Sequence, residues 1–337
     1  MHSELGEFEL IQRFFKTRAE AMPSPDGQSI ALGIGDDCAL IKPHSEEEIA
    51  ITTDMLVEGR HFFANANPEW LGHKALAVNL SDLSAMGAKP LGFTLAIALP
   101  HADSGWLEAF SNGLFAVAQK YSCPLIGGDT TAGPLNICIT AFGSIPLGKA
   151  IKRSGAIAGD EIWVSGSVGD ARLALAALRH ELHLSTIDLQ AIELRMHQPT
   201  PRVDLGICLR GIASAALDIS DGLLGDLKHI LKQSKVDAEI FLDRIPKSVT
   251  LQHQSEAIQN QFAACGGDDY EICFTAHPEQ RNAVNEISKK LHLAITHIGN
   301  VKTMQSSEAS IRLLNKNGEA LSVTETAGFL KSFDHFA

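Results

Sequence analysis

Ala213-Ser214-Ala215-Ala216-Leu217-Asp218-Ile219-Ser220-Asp221-Gly222-Leu223-Leu224 joins an apolar run to an acidic turn and then to a second apolar pattern. Small and branched residues over 213–219 read as a short strand, and 223–233 as a helix. In an extended segment Asp218 and Ser220 project to one side and Ile219 to the other, towards a core. Asp221-Gly222 then turns into a helix whose first N–H groups can face phosphate oxygens. The same segment also reads as an ordinary helix N-cap.

Aspartate recurs beside glycine or threonine at the ends of other apolar runs. The cases are Gly33-Ile34-Gly35-Asp36-Asp37, Thr52-Thr53-Asp54, Gly127-Gly128-Asp129-Thr130 and Gly266-Gly267-Asp268-Asp269. Asp82 joins them from a helical pattern, Asn79-Leu80-Ser81-Asp82. Any one is common turn chemistry, since Asp binds nearby N–H groups and Gly accepts positive φ. Their recurrence at strand ends, where sites are usually built, points further. Crowded carboxylates repel, so a cluster of them implies a counter-cation. Magnesium suits carboxylate-only shells completed by water and phosphate oxygens, without His or Cys.

Strand-like and helix-like segments alternate around these motifs. Strands are expected over 30–41, 49–57, 93–99 and 135–145, with helices from Pro68 to the stop at Gly87 and over 104–121. After a loop of small and basic residues at 146–159, strands are expected over 161–164, 213–219, 238–242, 270–275, 295–301 and 311–314. Helices over 170–179, 187–196, 223–233 and 280–291 lie between them. Fold class is therefore α/β of the α+β type, in two mixed domains, 1–150 and 151–337.

Hydrophobic residues make up 45% and charged residues 20%, an ordinary globular balance. Lys and Arg total 28 against 40 Asp and Glu, a formal charge of −12, and no basic block interrupts it. Nucleic acid is not an expected partner. Phosphate ligands remain possible through bound cations. The six cysteines form no C-x-x-C pair and read as buried reduced thiols. The acidic start and short apolar stretches predict neither a signal peptide nor a membrane span, so a cytoplasmic location is expected.

No Walker A loop, G-x-S-x-G elbow, H-E-x-x-H helix or protein-kinase signature is present. Arg153, in Lys152-Arg153-Ser154-Gly155, offers a guanidinium for a phosphate or simply a solvated loop charge.

Taken in order, the motifs resemble the thiamine-monophosphate kinase family of the aminoimidazole-ribonucleotide synthetase superfamily. The resemblance runs from Gly6-Glu7-Phe8 to Phe333-Asp334-His335-Phe336. Its specific parts are 33–39, 77–88, 126–131 and 218–222. It implies the superfamily fold, a homodimer built through the N-terminal sheet domain, and a C-terminal domain completing the cleft. It also implies ATP as co-substrate, thiamine monophosphate as acceptor and several Mg2+ ions. By position, Asp37, Thr52, Thr53, Asp54, Asp82, Asp129, Asp218 and Asp221 match the metal shell. Gly128, Asp129, Arg153 and Ser220 match ATP contacts, while His61, Asp268 and Phe333 match the acceptor pocket. The resemblance assigns no general base. Asp268 departs from the family, which has glutamate there, one methylene longer.

Selenophosphate synthetase would need a reactive Cys near the N-terminus, but the first here is Cys38. The hydrogenase-maturation relative would need a C-terminal Cys, and the chain ends Asp334-His335-Phe336-Ala337. Aminoimidazole-ribonucleotide synthetase itself and a non-catalytic nucleotide-binding module stay open at this point.

Overall fold

A computed structural model describes residues 6–22, 29–34 and 38–329. Asp37 and Phe333 lie outside the described residues. The chain divides into two compact units, Met1–Leu83 with Ala88–Gly148, and Ser84–Gly87 with Lys149–Ala337. Both mix helix and sheet, as the alternating patterns implied.

In the first unit β1 (Ile30–Leu32) and β2 (Leu40–Ile41) pair antiparallel. The sequence reads as one strand there, but Ile30 pairs with Ile41, so the chain reverses between them. The main sheet comprises β3 (Glu47–Val57), β4 (Lys89–Leu99), β5 (Leu125–Ala132) and β6 (Asn136–Pro146), in the order β3-β6-β4-β5. Only the β4–β5 pair is parallel among them.

Burial alternates with period two along β3 from Ile51, β4 from Thr94 and the first part of β6, as a sheet covered on one face requires. Leu95, Ile97, Ile137 and Ile139 are buried, while Ile51, Met55, Ala96 and Asp129 are exposed. Helices α1 (Pro68–Ala85) and α2 (Ser104–Lys120) contribute Leu76, Leu80, Leu83, Leu107, Phe110 and Leu114 to the core. Fully burying each such side chain contributes about 1.5–3 kcal/mol. Asp103 starts α2 by accepting the Trp106 N–H at 2.7 Å.

Gly128 has a backbone reason independent of any ligand. Its φ is +151°, and a Cβ there would lie 1.9 Å from the Leu95 carbonyl oxygen across the β4–β5 pair. Only glycine lets the two strands approach so closely.

The second unit holds a six-stranded sheet, β12-β9-β11-β7-β10-β8. Its strands are β7 (Glu161–Ser165), β8 (Ala213–Asp218), β9 (Val236–Phe241), β10 (Ile272–Ala276), β11 (Ile295–Thr303) and β12 (Ile311–Leu314). Only β12–β9 is parallel in this sheet. Its helices include α3 (Asp170–Leu178), α4 (Thr186–His197), α5 (Val203–Leu209), α6 (Leu223–Ser234), α7 (Glu256–Cys265) and α8 (Arg281–Leu291). Trp163, Phe274 and Ala216 form one cross-strand row. That row packs with Leu205 and Leu209 of α5 and with Val284 and Ile287 of α8. On α6 the buried positions 223, 224, 227, 230 and 231 follow helical spacing.

Helices α5 and α7 were not expected from sequence. Helix α7 buries only Ala263 and Ala264, too weak an apolar pattern to read. Strand β10 starts at Ile272 rather than 270, because Asp268 and Tyr270 take φ of +66° and +50°. Left-handed residues cannot extend a strand.

Candidate functional site

Strand β3 and helix α1 bring Thr52, Asp54 and Asp82 together in the first unit. The Thr52 hydroxyl hydrogen-bonds the Asp82 carboxylate, and the Asp54 N–H donates to Asn79 Oδ1 at 3.2 Å. Asn79 is fully buried and donates to the Ala75 carbonyl, so it holds the strand to the helix. Desolvation, and then the neighbouring Asp82 charge, push the Asp54 carboxyl up to about 7. Two half-buried carboxyls that disfavour each other's ionisation form a natural seat for a cation.

Thr53 and Asp129 face elsewhere. Thr53 pairs across the sheet with Thr140, and the two hydroxyls lie 2.9 Å apart. Asp129 falls in the row of Ala96, Cys138 and Met55, one residue on from the row of Asp54. Period-two alternation therefore sets Asp129 on the open face and Asp54 on the helix-covered face. They also occupy opposite edge strands, three inter-strand gaps or about 14 Å apart. One ion cannot touch both within a single chain. His61 sits in the turn after β3, where its Nδ1 accepts the Val57 N–H at 3.0 Å. That bond fixes the neutral ring as the Nε2–H tautomer.

In the second unit the loop after β8 meets the loop ahead of β10. Asp218 is buried at the end of β8, followed by half-buried Ser220 and Asp221. The Asp268 N–H donates to the Ser220 carbonyl, the Tyr270 N–H to the Ile219 carbonyl, and the Ile219 N–H to the Glu271 carbonyl, each at 2.8 Å. This zipper carries Asp268 beside the Ser220–Asp221 turn. The Tyr270 hydroxyl donates to Asp268 Oδ1 at 3.0 Å, which orients the shorter acid.

The turn ahead of α6, which starts at Leu223, is closed by a carboxylate from within the helix. Oδ2 of Asp226, a residue not singled out from sequence, accepts the N–H groups of Ser220, Asp221 and Gly222 at 3.0, 3.0 and 3.1 Å. A protein carboxylate occupies those donors, so they hold the loop rather than a phosphate. Burial, then the Asp221 charge, raises the Asp226 carboxyl to about 7 despite the three N–H bonds. The sequence signal was available, as an acid in the first turn of the helix.

Arg153 is tied to the C-terminal end of α6. Ser234 on α6 donates to the Arg153 carbonyl at 3.0 Å and accepts the Gly155 N–H at 3.1 Å. Burial lowers the pKa of His229, with the Arg153 charge next in weight and Asp221 opposing. His229 thus lies within electrostatic reach of both Arg153 and Asp221.

Among the described residues no group of three or more His, Cys, Asp or Glu side chains could hold a metal ion. Acidic contacts at the candidate site include Asp54 with Asp82 and Asp221 with Asp226. The donors are nonetheless of the right kind for magnesium, hard carboxylate and hydroxyl oxygens that leave room for water and phosphate. A divalent ion at Asp54 and Asp82 would also reverse the electrostatic penalty that raises Asp54.

A two-unit α+β chain with acidic strand ends is the architecture of the aminoimidazole-ribonucleotide synthetase class. Residues 35–145 match the family described as AIR synthase related protein, N-terminal domain, and 158–312 its C-terminal domain. The thiamine-monophosphate kinase of Salmonella typhimurium is 44% identical over 335 residues, 98% of each chain. The crystal structure of thiamine-monophosphate kinase from Stenotrophomonas maltophilia K279a superposes with a TM-score of 0.83 at 42% identity, covering 94% of this chain and 98% of that one. AaThiL complexed with AMPPCP and TMP gives a TM-score of 0.73 at 29% identity, over 98% and 97% of the chains. This chain belongs to the thiamine-monophosphate kinase family. No helix among the described residues is long and apolar enough to cross a membrane.

Proposed function

We propose that the protein transfers the γ-phosphoryl group of ATP to thiamine monophosphate, giving ADP and thiamine diphosphate. The observation that carries this is full-length similarity to thiamine-monophosphate kinases, together with a relative's complex holding AMPPCP and TMP. A terminal oxygen of the acceptor phosphate forms the new O–P bond. The bond from γ-phosphorus to the bridging oxygen breaks, and ADP leaves with the electron pair. The acceptor's second pKa is about 6, so it is already largely a dianion at neutral pH and needs no base.

The obstacle is repulsion between two anions. Bound magnesium would neutralise phosphate charge and help align the in-line displacement. Thr52, Asp54 and Asp82 would hold such ions in one unit, Asp218 and Asp221 in the other, with Thr53, Asp129 and Asp37 as further ligands. Asp226 keeps the Asp218–Asp221 turn rigid. Ser220, Gly128, Asp129 and Arg153 are assigned to ATP, and His61, Asp268 and Phe333 to the acceptor. Residues 1–150 then supply metal binding, ATP binding and dimerisation, while 151–337 complete the site. A cytoplasmic setting, where ATP and magnesium are abundant, fits this chemistry. Incubating the protein with ATP, magnesium and thiamine monophosphate is expected to yield thiamine diphosphate. ATP binding with no diphosphate formed would overturn the assignment.

The open face of the first unit's sheet supports a homodimer. Ile51 and Met55 expose 63% and 53% of their surface there, and Asp129 shares the face. Light scattering should give twice the chain mass, and Ile51→Lys should halve it. A monomer in the wild type would sink the dimer.

A further inference from the structure

The second unit contains a cavity of about 780 Å3 that includes none of the residues assigned above to ATP, metal or acceptor. Arg195, Arg202, Arg244 and Lys247 line it, opposed by only Asp243 and Glu271. Four cations against two carboxylates leave a local balance of +2 in a chain whose total is −12. A concave cationic site within an acidic surface focuses anions.

Lys247 Nζ already donates to the Leu242 and Ile245 carbonyls at 3.2 and 3.3 Å, so the open donor capacity lies with the arginines. Arg202 engages Glu271 through Nε and Nη2, and Arg195 engages Glu271 and the Ser167 carbonyl through Nη2. Nε of Arg195 is buried with no hydrogen-bond partner. Arg244 lies over the Phe241 ring, 3.9 Å from its centroid, and its side chain makes no hydrogen bond to a described residue. Stacking fixes the plane of the guanidinium and leaves its edge for an oxyanion.

The remaining wall suits an organic portion. Ile245, Pro246 and Ala294 supply apolar surface. Gln252 and Gln259 direct their amide N–H groups to backbone carbonyls, which leaves both amide oxygens as acceptors. The volume is that of a drug-sized ligand rather than a lone phosphate.

We propose that this cavity binds a small organic phosphate bearing hydrogen-bond donors, at a site separate from the carboxylate loops and independent of magnesium. Calorimetric titration in EDTA and low salt separates it from any metal-dependent site. Thiamine diphosphate, pyrophosphate and inorganic phosphate serve as probes, added singly. Saturable binding of thiamine diphosphate is expected, tighter than that of either inorganic anion.

Arg244→Gln should weaken it about tenfold, roughly 1.4 kcal/mol. Ala294→Glu, which adds a carboxylate to the wall and keeps every arginine, should abolish it. Asp54→Asn should leave it unchanged, and circular dichroism melts confirm that each variant is folded. Absence of saturation in EDTA, or equal affinity in Arg244→Gln and Ala294→Glu, overturns the site. Equal affinity for pyrophosphate and thiamine diphosphate overturns the organic component.

Discussion

Asp54→Asn is expected to lower kcat about 10^3-fold at saturating magnesium, the scale seen when one preorganised electrostatic group is removed from a reacting centre. The fold should persist, because Asn keeps the size of the side chain and the Asp54 backbone N–H still meets Asn79. It also removes one of two carboxyls that disfavour each other. In EDTA the variant should therefore melt no lower than the wild type. Added magnesium should stabilise the wild type more than the variant, since only binding to the folded state raises stability. Steady-state kinetics and melts with and without magnesium provide the check. Near-normal turnover would remove Asp54 from the metal shell.

Glu271→Ala is expected to destabilise the second unit by about 3–5 kcal/mol, the cost of stranding buried charge. For a body of this size that lowers the melting temperature by about 10 °C. Glu271 is fully buried and accepts Arg195 Nη2 at 2.7 Å, Arg202 Nε at 2.7 Å and the Ser165 hydroxyl at 2.6 Å. Truncation leaves two arginines, 24% and 17% exposed at their side chains, without their shared carboxylate, and Asp269 and Asp170 as the remaining acids near Arg195. Neighbouring Gly166 belongs to the same arrangement. Its φ is +60°, and a Cβ would fall 2.2 Å from Glu271 Oε1, which the arginines hold in place. A thermal melt by circular dichroism reads the effect. An unchanged midpoint would mean that the cluster contributes nothing to stability.

Local features were legible where the pattern was strong. The stretch 213–224 folds as strand, acidic turn and helix, with Ile219 buried and Asp218 at the strand end. Helix α1 begins at Pro68 and stops at Ala85, just ahead of Gly87. Where the pattern was thin, elements were missed, as with α7. The departure at Asp268 was visible in the sequence, but its partner Tyr270 Oη was not, because that contact depends on two left-handed residues. Asp226 was overlooked because an acid in a first helical turn is ordinary, and only the closure of three N–H groups onto it reveals its role.

The order of motifs along the chain, read alone, was enough to establish two α+β halves, acidic strand ends and the kinase family. These depend on residue type and local spacing, which a linear string preserves. The opposite facing of Asp54 and Asp129, the closure of the Ser220–Gly222 turn by Asp226, and the cationic cavity around Arg244 were decided only in three dimensions. Pairing register and loop packing join residues tens to more than a hundred positions apart, and shifting a strand by one residue moves a side chain to the other face.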